Sequence, residues 1–464
     1  MSRAFLFPLD CAHTVEGRDM ASASSGGARR DSTPHAPTDY RNVVRDSRRL
    51  GCGCRMSCPH NVSAVRRRVH GIEGLRAVAA CSILVFHVWD SGSTRTHGAE
   101  GLAFGSLGPV LNNLRAGVTL FFVLSGFLLF RPFVAAVVRH TAMPSVRSYF
   151  RNRALRILPL YWVVFAVVVA VQQRELLHRP RQLLADAFFL QNAIPGYEPA
   201  TAFGGLGITP VWSLCVEVVF YLCVPILALW MFALSRRRHW STLAALTPVG
   251  GMIVLGLAAK TFGHMAHLGA VWGMSFPVHA DWFAMGMALA VLEASWETGA
   301  LRVGGRTRGG AIVVAVALSI VATKAQADGR LDFVDSQTLM AVAGALLLGF
   351  VVFAPPEALS VRVLESRPFA AAGAWSYGIF LWHWPLLNEL RDRGLTQDGV
   401  GGFLFNLGLV SLATFIVAAI TYRFVEKPAL RRKRRSQSPL RAVPPSEPVA
   451  LASEVAQPVV TVLS

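Results

Sequence analysis

Residues 70–90 read HGIEGLRAVAACSILVFHVWD. From Ile72 to Trp89 the run is apolar apart from Glu73, Arg76, Ser82 and His87. As a helix it would rise roughly 27 Å, close to the hydrocarbon thickness of a bilayer. Runs of the same kind recur at 117–137, 157–173, 211–232, 241–262, 277–296, 310–326, 336–354, 373–391 and 402–425. The pattern predicts an all-α fold, a polytopic membrane bundle of about ten transmembrane helices. Composition agrees. Of the 464 residues, 53% are hydrophobic and 16% charged, and the mean hydropathy is +0.45. Soluble domains carry roughly 25% charge, so a string of water-soluble domains is excluded.

A net charge of +18 raises the question of nucleic acid. The placement of the charge answers it. Of 45 Lys and Arg residues, 33 fall in the two tails and the alternate loops that share their side, against 9 in the opposite loops. This asymmetry puts both termini of a multi-pass membrane protein in the cytoplasm. The basic charge sets topology and meets anionic lipid headgroups of the bilayer, and no nucleic-acid partner is needed to account for it.

Residues 1–70 form a basic, Ser/Arg/Gly-rich stretch without apolar periodicity, expected as a disordered cytoplasmic tail. A start at Met20 or Met56 would shorten it. Within it Cys52, Cys54, Cys58 and His60 have the residue types of a zinc site, but their spacing is too cramped for paired knuckles, and no metal is expected. Residues 429–464 are basic and then Pro-rich, expected as a second disordered tail. The membrane domain is 71–428. In its longest outer loop, 174–210, the stretch LLADAFFLQN reads as an interfacial or re-entrant helix.

Ionisable groups inside membrane spans are costly and mark the places to look for chemistry. Arg76 and His87 are eleven positions apart, three helical turns, so they share a face about 16 Å apart. Glu217, about 9 Å into the fourth span, has Ser213 and Tyr221 one turn either side on its face. Asp281 enters the sixth span at a similar depth. A carboxylate beside a histidine is a base-and-orienter pair, so Glu217 and Asp281 both qualify as partners of His87. On the cytoplasmic side Arg153 and Arg156, at i and i+3, could fork onto phosphates or simply anchor the third span. Arg423 and Glu426 have the spacing of an ion pair at the end of the last helix.

The chain resembles the acyltransferase-3 family of integral membrane acyltransferases across about residues 70–428. The resemblance rests on an ordered set of blocks: GLRAVAA with LVFH, FFVLSGFLLFRPF, RNRALRILPLYW, VWSLCVEVVFYL, HADWFAMGMALA, SYGIFLWHWPLL and TYRFVEKP. It implies ten spans with both ends inside, and transfer of an acyl group, commonly acetyl, from acyl-coenzyme A to a hydroxyl of a glycan, lipid or secreted natural product. Acyl-coenzyme A would be a co-substrate, with no bound cofactor. The family's Arg-x10-His pair falls on Arg76 and His87, the histidine being the catalytic residue. Its Arg-x-x-Arg falls on Arg153 and Arg156, implicated in holding the donor. Its SGF falls on Ser125, Gly126 and Phe127, its WSL-x-VE block on Trp212, Ser213 and Glu217, and its Glu-x-Pro on Glu426 and Pro428. His383, between Trp382 and Trp384, reads as packing near an interface.

Many relatives add an extracytoplasmic hydrolase-like domain after the tenth span, whereas here the chain ends 38 residues after Glu426. An outside acceptor would then be served by this protein alone or through a separate extracytoplasmic partner. A different class, a proton-coupled transporter of a sugar or lipid-linked precursor, would use the same intramembrane Arg, His, Glu and Asp. Dependence on a thioester separates the two.

Overall fold

The computed structural model describes residues 69–95, 105–138, 141–191, 209–237 and 242–435. The cysteine cluster at 52–58 and most of both tails lie outside these residues. Ten long helices occupy the expected spans among the described residues: α1 Ile72–Arg95, α2 Ala116–Val138, α3 Val146–Val171, α4 Trp212–Arg237 and α5 Thr242–Met265, then α6 Ala280–Glu297, α7 Gly305–Ala327, α8 Phe333–Val352, α9 Arg367–Asp392 and α10 Gly399–Thr421. No strand occurs among the described residues.

Eight of the ten are long and apolar enough to cross a bilayer; α6 and α9 are the others. Their sequences explain why. Asp281, Glu293 and Glu297 load α6 with charge, and α9 carries His383, Asn388, Glu389 and Arg391 among its aromatics. Both helices are wrapped by protein rather than lipid. Along α6 nearly every residue from Ala280 to Met287 is buried, and α9 is buried from Ser376 to His383. By contrast, Val313, Val314, Val316, Ile320 and Val321 of α7 are exposed, as on a lipid-facing helix.

Two pairings organise the interior, α6 against α2 and α9 against α1. The first depends on glycine. A Cβ at Gly126 would run into the Phe283 carbonyl oxygen, and one at Gly286 into the Val123 carbonyl oxygen. The SGF glycine therefore allows a backbone-to-backbone crossing of the small-residue type common between membrane helices. Phe122, Phe220 and Phe283 stack beside this crossing, with Phe283 at 4.5 Å from Phe122 and 4.1 Å from Phe220.

Helix ends are set by local chemistry. Ser145 caps α3 by accepting from the Ser148 amide, and Asp332 caps α8 by accepting from the Asp335 amide at 2.8 Å. The LLADAFFLQN stretch supplies a short helix, Pro180–Ala187. Leu184, Phe188 and Leu190 are exposed there, while Phe189 is buried against Tyr161. That division suits an interfacial element. After α10 the chain makes a π-helical turn, Tyr422–Glu426, before a short basic helix Lys427–Arg435. The turn leaves Phe424 exposed and puts Glu426 in the interior, 2% exposed.

Candidate active site

The predicted residues gather in three places. At the inner end of the bundle, Arg76 donates from Nε to Ser376 Oγ of α9 at 3.2 Å and lies 3.8 Å from Glu73. Beside it Arg156 Nη1 pairs with Glu426 Oε2 at 3.2 Å and stands over the Tyr377 ring. Tyr377 donates to the Ile157 carbonyl at 3.0 Å, fixing α9 to α3. Glu426 thus takes its partner from another helix rather than from Arg423, which lies over Phe424. The extra residue of the π turn swings Glu426 inward, which the i, i+3 spacing did not anticipate.

Glu217 faces this cluster from the middle of the bundle, at the level of Ser125 on α2. It accepts from the Ser125 hydroxyl and from the Tyr221 hydroxyl, and lies within electrostatic reach of Arg76. Arg153, in the third turn of α3, lies within electrostatic reach of Tyr221 and Tyr149. The two arginines do not form one exposed fork. Arg156 is already matched by Glu426, whereas Arg153 turns toward the tyrosines with its Nε buried and without a hydrogen-bond partner.

His87 is elsewhere. Its ring lies 5.2 Å from His383 and 4.7 Å from Trp384, both on α9, and 4.9 Å from Phe86. Its Nδ1 is buried and has no hydrogen-bond partner. The expected orienting carboxylate is therefore absent: neither Glu217 nor Asp281 bonds to the imidazole. Glu217 is away from His87 because its hydroxyl partner Ser125 lies near the middle of α2 and the α1 residue within its electrostatic reach is Arg76, three turns from His87. His383 is 1% exposed and in contact with His87, so its place is inside the bundle and not at an interface.

The third place is at the outer end of α5, α6 and α8. Asp281 Oδ2 accepts from Lys260 Nζ at 2.5 Å and from the Thr338 hydroxyl at 3.2 Å, and Lys260 also donates to Thr338 at 2.6 Å. Asp281 and Lys260 are 1% and 4% exposed in their side chains. Lys260 lies near the C-terminal end of α5 and Asp281 in the first turn of α6, so the two opposite charges enter the bundle from the same end. Trp212 packs against His279 at 5.2 Å in an aromatic cage with Phe122 and Trp282. Ser213 is buried and donates to the Pro210 carbonyl at 3.0 Å, ending the turn that starts α4.

The seam between α1 and α9 joins two of these places. Arg76 and His87 on α1 meet Ser376 and the His383–Trp384 pair on α9, so one helix interface carries a cationic inner end and an imidazole further out. The fold and the seam define a polytopic helical membrane protein with an arginine–carboxylate cluster and a histidine pair buried in its bundle. The chain belongs to the acyltransferase-3 family, whose acyltransferase domain matches residues 69–423. It is similar to YrhL of Bacillus subtilis, 24% identical over 80% of this chain and 56% of that protein. It is also similar to the O-acetyltransferase OatA of Staphylococcus aureus, 24% identical over 79% of this chain and 58% of OatA, and to the peptidoglycan O-acetyltransferase OatA of Listeria monocytogenes, 24% identical over 78% and 56%. The chain thus spans a little over half the length of these relatives. No solved structure matches it significantly.

Proposed function

We propose that this chain is a membrane-embedded O-acyltransferase of the bacterial cytoplasmic membrane, moving an acyl group, most simply acetyl, from acyl-coenzyme A to a hydroxyl of a glycan acceptor. The observation that carries the proposal is the α1–α9 seam, with Arg76 at its cytoplasmic end and His87 three turns along the same face. The glycan acceptor is drawn from the relatives, which are O-acetyltransferases, that of Listeria acting on peptidoglycan.

The donor's phosphates dock at the inner cluster, where Arg153 is the cation with an unpartnered buried nitrogen. Glu217, through Tyr221 and Ser125, holds the wall against which Arg153 is set. The pantetheine arm runs toward His87. The acceptor hydroxyl then attacks the thioester carbonyl while His87 takes its proton. The tetrahedral intermediate collapses with cleavage of the carbon–sulfur bond, and the departing thiolate receives that proton from His87, giving the ester and free coenzyme A. Asp281, held by Lys260, shapes the outer end and stays outside the proton path.

The test is coenzyme A release from acetyl-coenzyme A by the purified full chain in nanodiscs, with a muropeptide-type glycan as acceptor. His87→Ala should lower release by at least about 100-fold, the size of a lost general base. Arg153→Ala should raise the acetyl-coenzyme A concentration needed for half-maximal rate with kcat little changed. Radioactive acetate retained on protein quenched rapidly near neutral pH, lost on brief acid treatment and absent from His87→Ala, would replace direct attack by an acyl-histidine route. Absence of both donor binding and release would move a proton-coupled transporter to the front.

A further inference from the structure

A neutral imidazole has one N–H and one lone pair, and which nitrogen carries which is set by the hydrogen bond the other makes. For His87 to take a proton through Nε2, its Nδ1 must carry the hydrogen, and a buried N–H requires an acceptor. None of the expected carboxylates supplies one. Glu217 is engaged with Ser125 and Tyr221, and Asp281 with Lys260 and Thr338. The walls contributed by Phe86 and Trp384 offer no lone pair.

His383 does. Its Nδ1 lies 3.0 Å from the Ile379 carbonyl oxygen one turn back on α9. A carbonyl only accepts, so Nδ1 bears the hydrogen and Nε2 is left as a lone pair. That Nε2 is itself buried and without a hydrogen-bond partner, as is His87 Nδ1. The ring centres are 5.2 Å apart with the planes at 33°. Since each nitrogen stands about 1.1 Å from its ring centre, turning the His87 ring to bring Nδ1 toward His383 Nε2 can close the two nitrogens to about 3 Å, hydrogen-bond distance. Two orphaned buried nitrogens, one needing an acceptor and one fixed as an acceptor, thus stand side by side.

We propose that His383 is the positioning residue for His87: its Nε2 accepts the His87 Nδ1–H, so that His87 presents the lone pair of its own Nε2 to the acceptor hydroxyl. The pair takes the place of the histidine–carboxylate couple, anchored on a main-chain carbonyl instead of a charge. A neutral anchor avoids burying a carboxylate beside aromatic rings within the membrane domain. The proposal rests on the transferase role of His87, and its test separates the two.

Three substitutions of the full chain in nanodiscs divide the possible roles. His383→Gln places an amide at the ε position, His383→Asn places one at the δ position that bonds Ile379, and His383→Phe only fills the space. If His383 serves as the acceptor, Gln keeps activity within about 5-fold, whereas Asn and Phe lose about 100-fold in kcat with KM for acetyl-coenzyme A within about two-fold. Asn matching or exceeding Gln would show that the Ile379 bond and packing are what matter, and would overturn the proposal. So would Phe at near wild-type rate. A second readout is independent of turnover: 15N shifts of histidine-labelled protein, with the His87 signals identified by their loss in His87→Gln. An Nδ1–H tautomer in wild type that is lost in His383→Phe supports the pair even if no acyl transfer is found, in which case the transferase assignment alone has failed. An Nε2–H tautomer at His87 overturns the pair whatever the activity.

Discussion

Replacing Asp281 with asparagine isolates what the buried pair at the outer end contributes. The change is isosteric, so the 2.6 Å approach that limits any Cβ at Gly256 is untouched, and no cavity forms. What is lost is the charge opposite Lys260. The ammonium keeps the Thr338 oxygen at 2.6 Å and stands 6.0 Å from the Trp282 ring centre, but no anion remains within bonding distance. With side chains 4% and 1% exposed, water cannot replace the carboxylate. An uncompensated buried charge of this kind costs about 3–5 kcal/mol. At roughly 2 °C per kcal/mol for a large domain, the apparent unfolding midpoint should fall by about 6–10 °C.

The double variant Lys260→Met with Asp281→Asn removes both charges. Thr338 can donate to the Val334 carbonyl at 3.2 Å and accept from the new amide, and the amide oxygen at the Oδ1 position is left as unpartnered as the carboxylate oxygen is there now. Stability should then return to within about 2 °C of wild type, because a well-satisfied neutral pair is often as stable as a buried ionic one. The assay is intrinsic tryptophan fluorescence on heating in a single detergent, at one scan rate, since unfolding of such proteins is commonly irreversible. Coenzyme A release is measured on the same samples. A single variant as stable as wild type would refute the energetic reasoning. A double variant that regains stability but stays about 100-fold inactive would refute the structural assignment and return Asp281 to the chemistry.

Other consequences are as direct. Gly126→Ala and Gly286→Ala each press a methyl onto a carbonyl oxygen across the α2–α6 crossing, and should cost about 1–3 kcal/mol in thermal stability. Gly344→Ala, whose nearest neighbour is a Leu120 methyl at 3.5 Å, should be tolerated in the same melt. Glu426→Gln leaves Arg156 without its buried anion, so it should lower the melting midpoint more than Tyr377→Phe, which gives up one neutral bond worth about 1 kcal/mol. Alkaline-phosphatase fusions should be active when joined after residue 330, between α7 and α8, and inactive after residue 300, between α6 and α7. The reverse would contradict the topology drawn from the distribution of arginine and lysine.

The bundle was legible because lipid imposes a length and an apolar character that a sequence cannot disguise. Even α6 and α9, with too much polarity to pass for lipid-facing helices, stood out by their place in the alternation of spans. Helix order is different. Nothing along the chain says that α1 lies against α9, so Glu217 and Asp281 were natural partners for His87 when depth was the only coordinate. Depth did not separate the candidates either: Glu217 bonds to Ser125 of α2 and reaches toward Arg76, three turns from His87 on α1. One signal for the true neighbour was present. Ser376 and His383 are seven apart, two turns on one face of α9, and Arg76 and His87 are three turns apart on one face of α1. Two spans that each carry a polar stripe through an apolar helix have a common reason to face one another, since lipid offers neither stripe a partner. Matching stripes between helices, rather than depths, would have placed His383 beside His87. It would also have set Asp281 opposite Lys260, the one cation buried within α5.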